Sequence, residues 1–245
     1  MTTHTADVLI IGGGVYGCAT AYHLARLGAG KVVVLERRHV CAGGTAKSCA
    51  IVRTHYSVTT NLVHAVESLK IFAHFDEVVG GDVGWHRTGY LILGPEAHRE
   101  PMLRVFAEQN AHGIDTAVLD PAAAHEIHPL LSYHDVEVIG YDTFTGYADP
   151  YLTTTAYANR ARDLGVTIHT NTPVTRLSSE GRVKVVETTG LGPGTRPLCC
   201  WRPARGRMPS PPRRGCTSPT ESAATRSSPC ASHGPMTPIG PSSKT

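Results

Sequence analysis

The segment DVLIIGGGVYG, residues 7–17, constrains this chain more than any other stretch. A short β-branched apolar run, Asp7–Ile11, meets three glycines at the spacing Gly12-x-Gly14-x-x-Gly17. Small and apolar residues then recur at helical spacing from Val15 to Leu27, and Gly28 and Gly30 close the helix. A second apolar run follows at once, KVVVLE, Lys31–Glu36. Strand, tight glycine turn, helix and parallel strand in so short a span is one βαβ unit. In that setting each glycine has a mechanical task. Gly12 permits the turn, Gly14 lets a pyrophosphate approach the backbone, and Gly17 lets helix and strand pack closely. The positive end of the helix faces the phosphates. Glu36 ends the second strand, where a carboxylate accepts hydrogen bonds from ribose hydroxyls and repels a 2′-phosphate, which disfavours NADP. The segment therefore predicts a dinucleotide site; by itself it does not choose between FAD and NAD.

Beyond Glu36 the loop CAGGTAKSCAIVRTHYS is too long for a plain connector and reads as a ligand loop. TTNLVHAVESLKIFAHFDEVV predicts a helix with Leu62, Val66, Leu69, Ile71, Phe72 and Phe75 broadly on one face. TGYLILG predicts a strand, Ala97–Ala111 a helix with Pro101 in its first turn or at a kink, and VEVIGYD a further strand. In GYADPYLTTTAYANRARDLG, Asp149 caps a helix, Pro150 occupies its first position and Gly165 ends it. VTIHT, PVTRL and RVKVVETT predict short strands.

Composition divides the chain in two. The net charge of +3 averages unlike parts: residues 191–245 carry seven Arg and one Lys against Glu221, while 1–190 carry 15 basic and 19 acidic residues, a net of −4. A mildly acidic front part has no global pull toward nucleic acid or anionic lipid. Cys18, Cys41 and Cys49 are odd in number and lack metal-like spacing, which suits a reducing cytoplasm. The start, MTTHTADVLIIGGG, has no basic n-region, and its apolar run is too short for a signal peptide or membrane span. His125 and His128 flank Glu126 without an HExxH pattern, so no metal site is expected. No Ser-His-Asp arrangement suggests itself either.

Taken together, DVLIIGGGVYGCATAYHLARLG, VVVLERR, GGTAKSCAIVRTHYS, VGGDVGWHRTGYLILG and GYADPYLTTTAYANRAR resemble the D-amino-acid oxidase and sarcosine oxidase family of flavoenzymes. Within it the likeness is greatest to the sarcosine- and dimethylglycine-oxidising branch, over roughly residues 6–190. The resemblance implies an α/β fold: a Rossmann-like FAD-binding domain in two parts, 1–81 and 149–190, interleaved with part of an antiparallel-sheet substrate domain, 82–148. It implies FAD contacts from Glu36 and Arg37 to ribose and pyrophosphate, and from Gly44, Thr45, Lys47 and Ser48 along the flavin and phosphates. Val174 resembles a position whose backbone meets the adenine.

Arg53 matches an arginine that grips the substrate carboxylate, a task suited to a planar, permanently charged, two-pronged donor. His55 and Tyr56 follow in the same segment and would line the pocket. In relatives that link FAD covalently, the linking histidine falls near Ser48, and serine cannot form that bond. A cysteine used by others lies in a region this chain does not resemble, so FAD is expected to be held non-covalently. The implied chemistry is hydride transfer to flavin from a carbon next to an uncharged amine nitrogen, in a small amino-acid or amine substrate. Reoxidation by dioxygen or another electron acceptor would follow, with no nucleic-acid or membrane partner. An NAD-dependent or other flavin oxidoreductase is the alternative enzyme; a non-catalytic FAD-binding fragment or accessory subunit is the alternative outside catalysis.

Residues 191–245 are unlike the rest, with 11 of the 17 prolines and four of the seven cysteines. A basic arm for nucleic acid and a plain disordered extension are two readings of this tail. A third is a reading-frame shift. Read two nucleotides later, codons for Cys199 to Pro209 permit Leu-Leu-Ala-Ala-Gly-Ala-Trp-Ala-Asp-Ala. That is close to the strand and turn with which the family returns to its nucleotide-binding domain. On this reading the tail is disordered and out of frame, and the chain is incomplete and inactive.

Overall fold

The computed structural model describes residues 4–180, 183–189 and 198–199. The cofactor-type half is built on a parallel sheet of β1 (Val8–Ile11), β2 (Val32–Leu35) and β9 (Thr167–His169), in the order β1-β2-β9. All four residues of β2 are buried, as a strand covered on both faces requires. Val32 and Val34 point into a core with Cys18, Ala21 and Tyr22 of α1 (Val15–Arg26) and Tyr157, Ala158 and Ala161 of α6 (Pro150–Asp163). Val33 and Leu35 point the other way, toward Ala6, Val174 and Val186. Val174 opens β10 (Val174–Glu180), which pairs antiparallel with β11 (Val183–Thr188). Helices thus cover one face of the sheet and a hairpin covers the other.

Between α1 and α6 in sequence lies an antiparallel insert. β5 (Tyr90–Gly94), β6 (Thr116–Leu119) and β7 (Val138–Asp142) form a sheet with β7 in the middle. Asp142, the last residue of β7, stands between Tyr90 and Thr116. Helix α4 (Arg99–Ala111) rests on this sheet where Gly140 leaves room: a side chain there would run into the Phe106 ring. A second small sheet joins β3 (Ile51–Val52), β8 (Gly146–Tyr147) and β4 (His86–Arg87). It ties the loop after β2 to the insert.

The helix expected over residues 59–79 breaks in two. α2 (Thr59–Ala73) ends at His74, whose φ of −131° and ψ of 38° are not helical, and α3 (Phe75–Val78) begins anew. The reason is divided loyalty in packing. Leu62, Val66 and Leu69 bury against Ile114, whereas Ile71, Phe72 and Phe75 join the core of α1 and α6. Pro101 sits in the first turn of α4. α5 (Pro121–Ile127), capped by Asp120, and β6 were not anticipated. Asp149 caps α6, accepting from the Leu152 N–H at 2.7 Å.

Most of the tail expected to be disordered lies outside the described residues. Within that span Leu198 and Cys199 form β12, which pairs with Val185 and Val186 of β11.

Candidate cofactor and substrate site

The glycine turn is assembled as its spacing demands. Gly12 has φ +109°, a conformation reserved in practice for glycine. A Cβ on Gly17 would drive into the carbonyl oxygen of Gly12, so only glycine lets α1 approach β1 this closely. A Cβ on Gly14 would come within 2.9 Å of the Thr45 hydroxyl oxygen. α1 starts without a capping side chain at Gly14. Its first-turn amides have no partner within the helix, and the Val15 N–H reaches Thr45 Oγ1 at 3.2 Å. This narrow cradle of glycine backbone, open amides and one hydroxyl fits a diphosphate.

Glu36 stands beside it, 9 % exposed. Its Oε2 accepts from the Gly13 N–H at 2.7 Å and its Oε1 from the Arg38 N–H at 2.9 Å. The carboxylate therefore braces the loop, and each oxygen retains a lone pair for a ribose hydroxyl. The second chain segment closes over the same strand end. The Thr172 N–H donates to the Glu36 carbonyl and the Asn171 N–H to that of Arg38, each at 2.8 Å. Sequence reasoning missed this latch; Asn171, left-handed at φ +51°, carried a weak turn signal.

The loop after β2 forms a single 3-10 turn at Thr45–Lys47. Gly44, Thr45 and Ser48 line a cleft of about 1030 Å³ whose other walls include Val15 and Tyr16 of α1, Val52, and Tyr157 of α6. Arg37 and Lys47 are exposed. Val174 is half-buried against the sheet under β2, a packing role that leaves its backbone at the strand's start. Thus the glycine turn and Glu36 meet through the Gly13 N–H, Thr45 joins the turn through the Val15 N–H, and Gly44, Thr45 and Ser48 line the cleft, while Arg37 and Lys47 are exposed.

Arg53 is exposed, and its guanidinium is held from two sides. Nη1 donates to the Tyr90 hydroxyl at 3.2 Å, and its carbon lies 5.4 Å from the centre of the Tyr56 ring. The Tyr90 hydroxyl raises the arginine's pKa further, against a smaller opposing effect of burial. The next residue, Thr54, is fully buried and donates to Asp142 Oδ2 at 2.5 Å. Arg53 is therefore fixed to the first residue of β5, and its neighbour to the last residue of β7.

His55, two residues beyond Arg53, is half-buried. Its ring centre lies 5.7 Å from that of Phe106, and burial lowers its pKa from the usual histidine value. Tyr90, Thr54, Gln109 and Asp142 were not picked out from sequence. Tyr90, Gln109 and Asp142 join Arg53 or Thr54 only through tertiary pairing.

A glycine turn at the first strand, a carboxylate at the second and an antiparallel insert define a dinucleotide-binding α/β protein of the Rossmann-like class. The profile of one family, DAO, FAD dependent oxidoreductase, matches residues 7–198, and the chain belongs to it. FAD is the cofactor of that family. The chain is 32 % identical over 174 residues to mitochondrial dimethylglycine dehydrogenase of Rattus norvegicus, covering 70 % of this chain and 20 % of that one. It is 33 % identical over 195 residues to sarcosine oxidase subunit beta of Arthrobacter sp, covering 75 % and 47 %. Among solved structures it is similar to L-proline dehydrogenase from P. horikoshii, with TM-score 0.71, 27 % identity, and 80 % and 51 % coverage. The chain thus spans about a fifth to a half of these relatives. Among the described residues, no helix is long and apolar enough to cross a membrane.

Proposed function

We propose that this chain carries the FAD-binding end and the carboxylate anchor of an oxidoreductase acting on the C–N bond of a secondary or tertiary amino acid, sarcosine-like in size. One observation carries the reading: Arg53 is presented open to solvent yet clamped by Tyr90 and Tyr56. A guanidinium so held can grip a carboxylate with two parallel hydrogen bonds and keeps its charge at any working pH. The names of the dimethylglycine and sarcosine relatives support an N-methylated substrate.

Under this reading the Gly12–Gly17 backbone and the start of α1 hold the diphosphate, and Glu36 holds a ribose. Arg37, Gly44, Thr45, Lys47, Ser48 and the Val174 backbone complete the cofactor's surroundings, without a covalent link. Bound flavin would supply the hydride acceptor. This chain's own residues orient the substrate: Arg53 fixes the carboxylate end, and Tyr56 and Tyr90 keep the guanidinium from turning away. Reduced flavin would be reoxidised by dioxygen or another electron acceptor. A cytoplasmic setting is proposed on the free thiols of Cys18, Cys41 and Cys49.

On the change of composition after Gly190, we propose that residues 191–245 are translated out of frame and that the chain as it stands binds flavin without completing turnover. Resequencing around the Gly190 codon tests the first point, and an intact frame there overturns it. For the function, the frame-restored, flavin-loaded protein is mixed anaerobically with sarcosine and dimethylglycine. Bleaching of the flavin is expected; absence of bleaching with every N-methylated amino acid rejects the assignment.

A further inference from the structure

Beneath Arg53 lies a buried polar chain that the cofactor and substrate anchor do not use. Thr54, Gln109 and Asp142 are each 0 % exposed and come from the loop after β2, from α4 and from β7. Asp142 receives four donors. Oδ2 accepts from the Thr54 and Thr145 hydroxyls at 2.5 and 2.6 Å, and Oδ1 from the Phe144 and Thr145 N–H groups at 2.7 and 3.2 Å. Four donors fill the lone-pair sites of a carboxylate, so Asp142 acts here purely as an acceptor.

The direction of every later bond follows. The single hydroxyl proton of Thr54 is committed to Asp142, so its oxygen must accept, and it does so from Gln109 Nε2 at 2.9 Å. That settles which end of the carboxamide is nitrogen and turns Oε1 away from Thr54. Gln109 Oε1 is buried without a partner, and so is His55 Nδ1. An orphaned buried polar atom costs stability, and here one orphan is an acceptor and the other a nitrogen able to donate. Gln109 is also a neighbour whose side chain counters the effect of burial on His55.

We infer that His55 Nδ1–H donates to Gln109 Oε1, so that Asp142, Thr54 and Gln109 are positioning residues that hold His55 as the Nδ1–H tautomer with Nε2 as its acceptor nitrogen. The bonds run one way, from His55 through Gln109 and Thr54 to Asp142. In histidine the proton on one ring nitrogen is set by the partner of that nitrogen, and here the partner is a buried acceptor. The charged groups acting on the imidazole are Arg53 from its own segment and Asp142 from β7, with the neutral Gln109 from α4. Burial, the largest influence, and Arg53 favour the neutral ring; Gln109 and Asp142 oppose them. Arg53 then stands beside an uncharged imidazole.

The use of this arrangement in catalysis rests on the reading of Arg53 as the substrate anchor. A substrate ammonium must lose a proton before its C–H bond breaks. Nε2 would take it, leaving the electron pair on the substrate nitrogen, and the imidazolium would keep Nδ1–H on Gln109.

The test reads the tautomer directly and needs neither flavin nor substrate, so it stands or falls apart from the proposed function. Two-bond proton–nitrogen correlation spectra of the nitrogen-15-labelled full chain report the protonated nitrogen of each of its 14 histidines. Loss of one set in His55→Gln assigns His55. The Nδ1–H pattern is expected at neutral pH, and an Nε2–H pattern overturns the inference. In Gln109→Glu, a near-isosteric change, the titration midpoint of His55 should rise by about 1–3 pH units because a carboxylate now faces Nδ1. A well-dispersed Gln109→Glu spectrum with an unmoved midpoint would also overturn it.

Discussion

The Gly13 N–H and the Glu36 carboxylate meet at 2.7 Å, so the residue read as a ribose ligand is also the brace of the glycine turn. Cofactor recognition and loop geometry therefore share one side chain. Glu36→Ala leaves the Gly13 and Arg38 N–H groups without their acceptor. Loss of stability by about 2 kcal/mol or more is expected in urea unfolding, together with loss of FAD binding in a fluorescence titration. Glu36→Gln should keep most of the stability and bind FAD more weakly, because the charge is gone while one oxygen acceptor remains.

Gly17→Ala isolates a different contact. Its methyl group would press on the Gly12 carbonyl and push α1 off β1. A cost of about 1–3 kcal/mol is expected, as for overpacking elsewhere. Gly28→Ala makes a useful contrast, since nothing lies within 4 Å of its added carbon and only its φ of +69° is at issue. FAD affinity should collapse in the first variant and survive in the second.

Arg53→Lys keeps a positive charge but gives up the flat fork and the bond to Tyr90. In flavin-loaded protein, the affinity for simple carboxylates, read from the flavin spectrum, should fall about tenfold or more. Unchanged carboxylate affinity would remove Arg53 from the substrate site.

Thiol labelling checks the interior around α1. Cys18 is 0 % exposed, and burial pushes its thiol up from 9.0 to about 11, so at pH 8 it stays protonated and shielded. Cys49 is exposed. Iodoacetamide followed by peptide mapping should modify Cys49 readily and Cys18 only after denaturation. The raised value also fixes a direction for stability: the contribution of Cys18 is complete below about pH 9 and is lost as pH climbs toward about 11.

Asp149→Ala removes the side-chain acceptor for the Leu152 N–H at the start of α6. A loss of about 1 kcal/mol is expected by calorimetry. Because α6 packs on α1 through Tyr157 and Tyr22, whose ring centres are 5.6 Å apart, the effect should appear in global unfolding.

What the sequence revealed follows the range of the interactions. β1, the glycine turn, α1 and β2 are encoded within one short stretch, and Asp149-Pro150 announces α6 in two residues. Asp120-Pro121 carries the same signal for α5, though only seven residues of helix follow it. The break at His74 could not be seen. The apolar spacing continues through it, and only the two cores that claim its flanks divide the helix. Strands of two residues such as β3, β4 and β8 have no period to read and exist through pairing alone. The same holds for the partners of Arg53. Thr54, Gln109 and Asp142 are ordinary polar residues until folding places all three out of water, and their pairwise bonds bridge 55 and 88 positions of chain.

The flank of β2 that carries Glu36 is finished by a strand made much later, with Val33, Val34 and Leu35 pairing to Thr167, Ile168 and His169. During synthesis the ribosome must deliver the whole antiparallel insert before that partner exists. Until then the valine strand presents a bare ladder of amides and carbonyls to whatever else is nearby. Premature stops inside the insert should therefore yield nascent chains that chaperones retain, and the first release-competent length should fall just after Thr172 has left the exit tunnel.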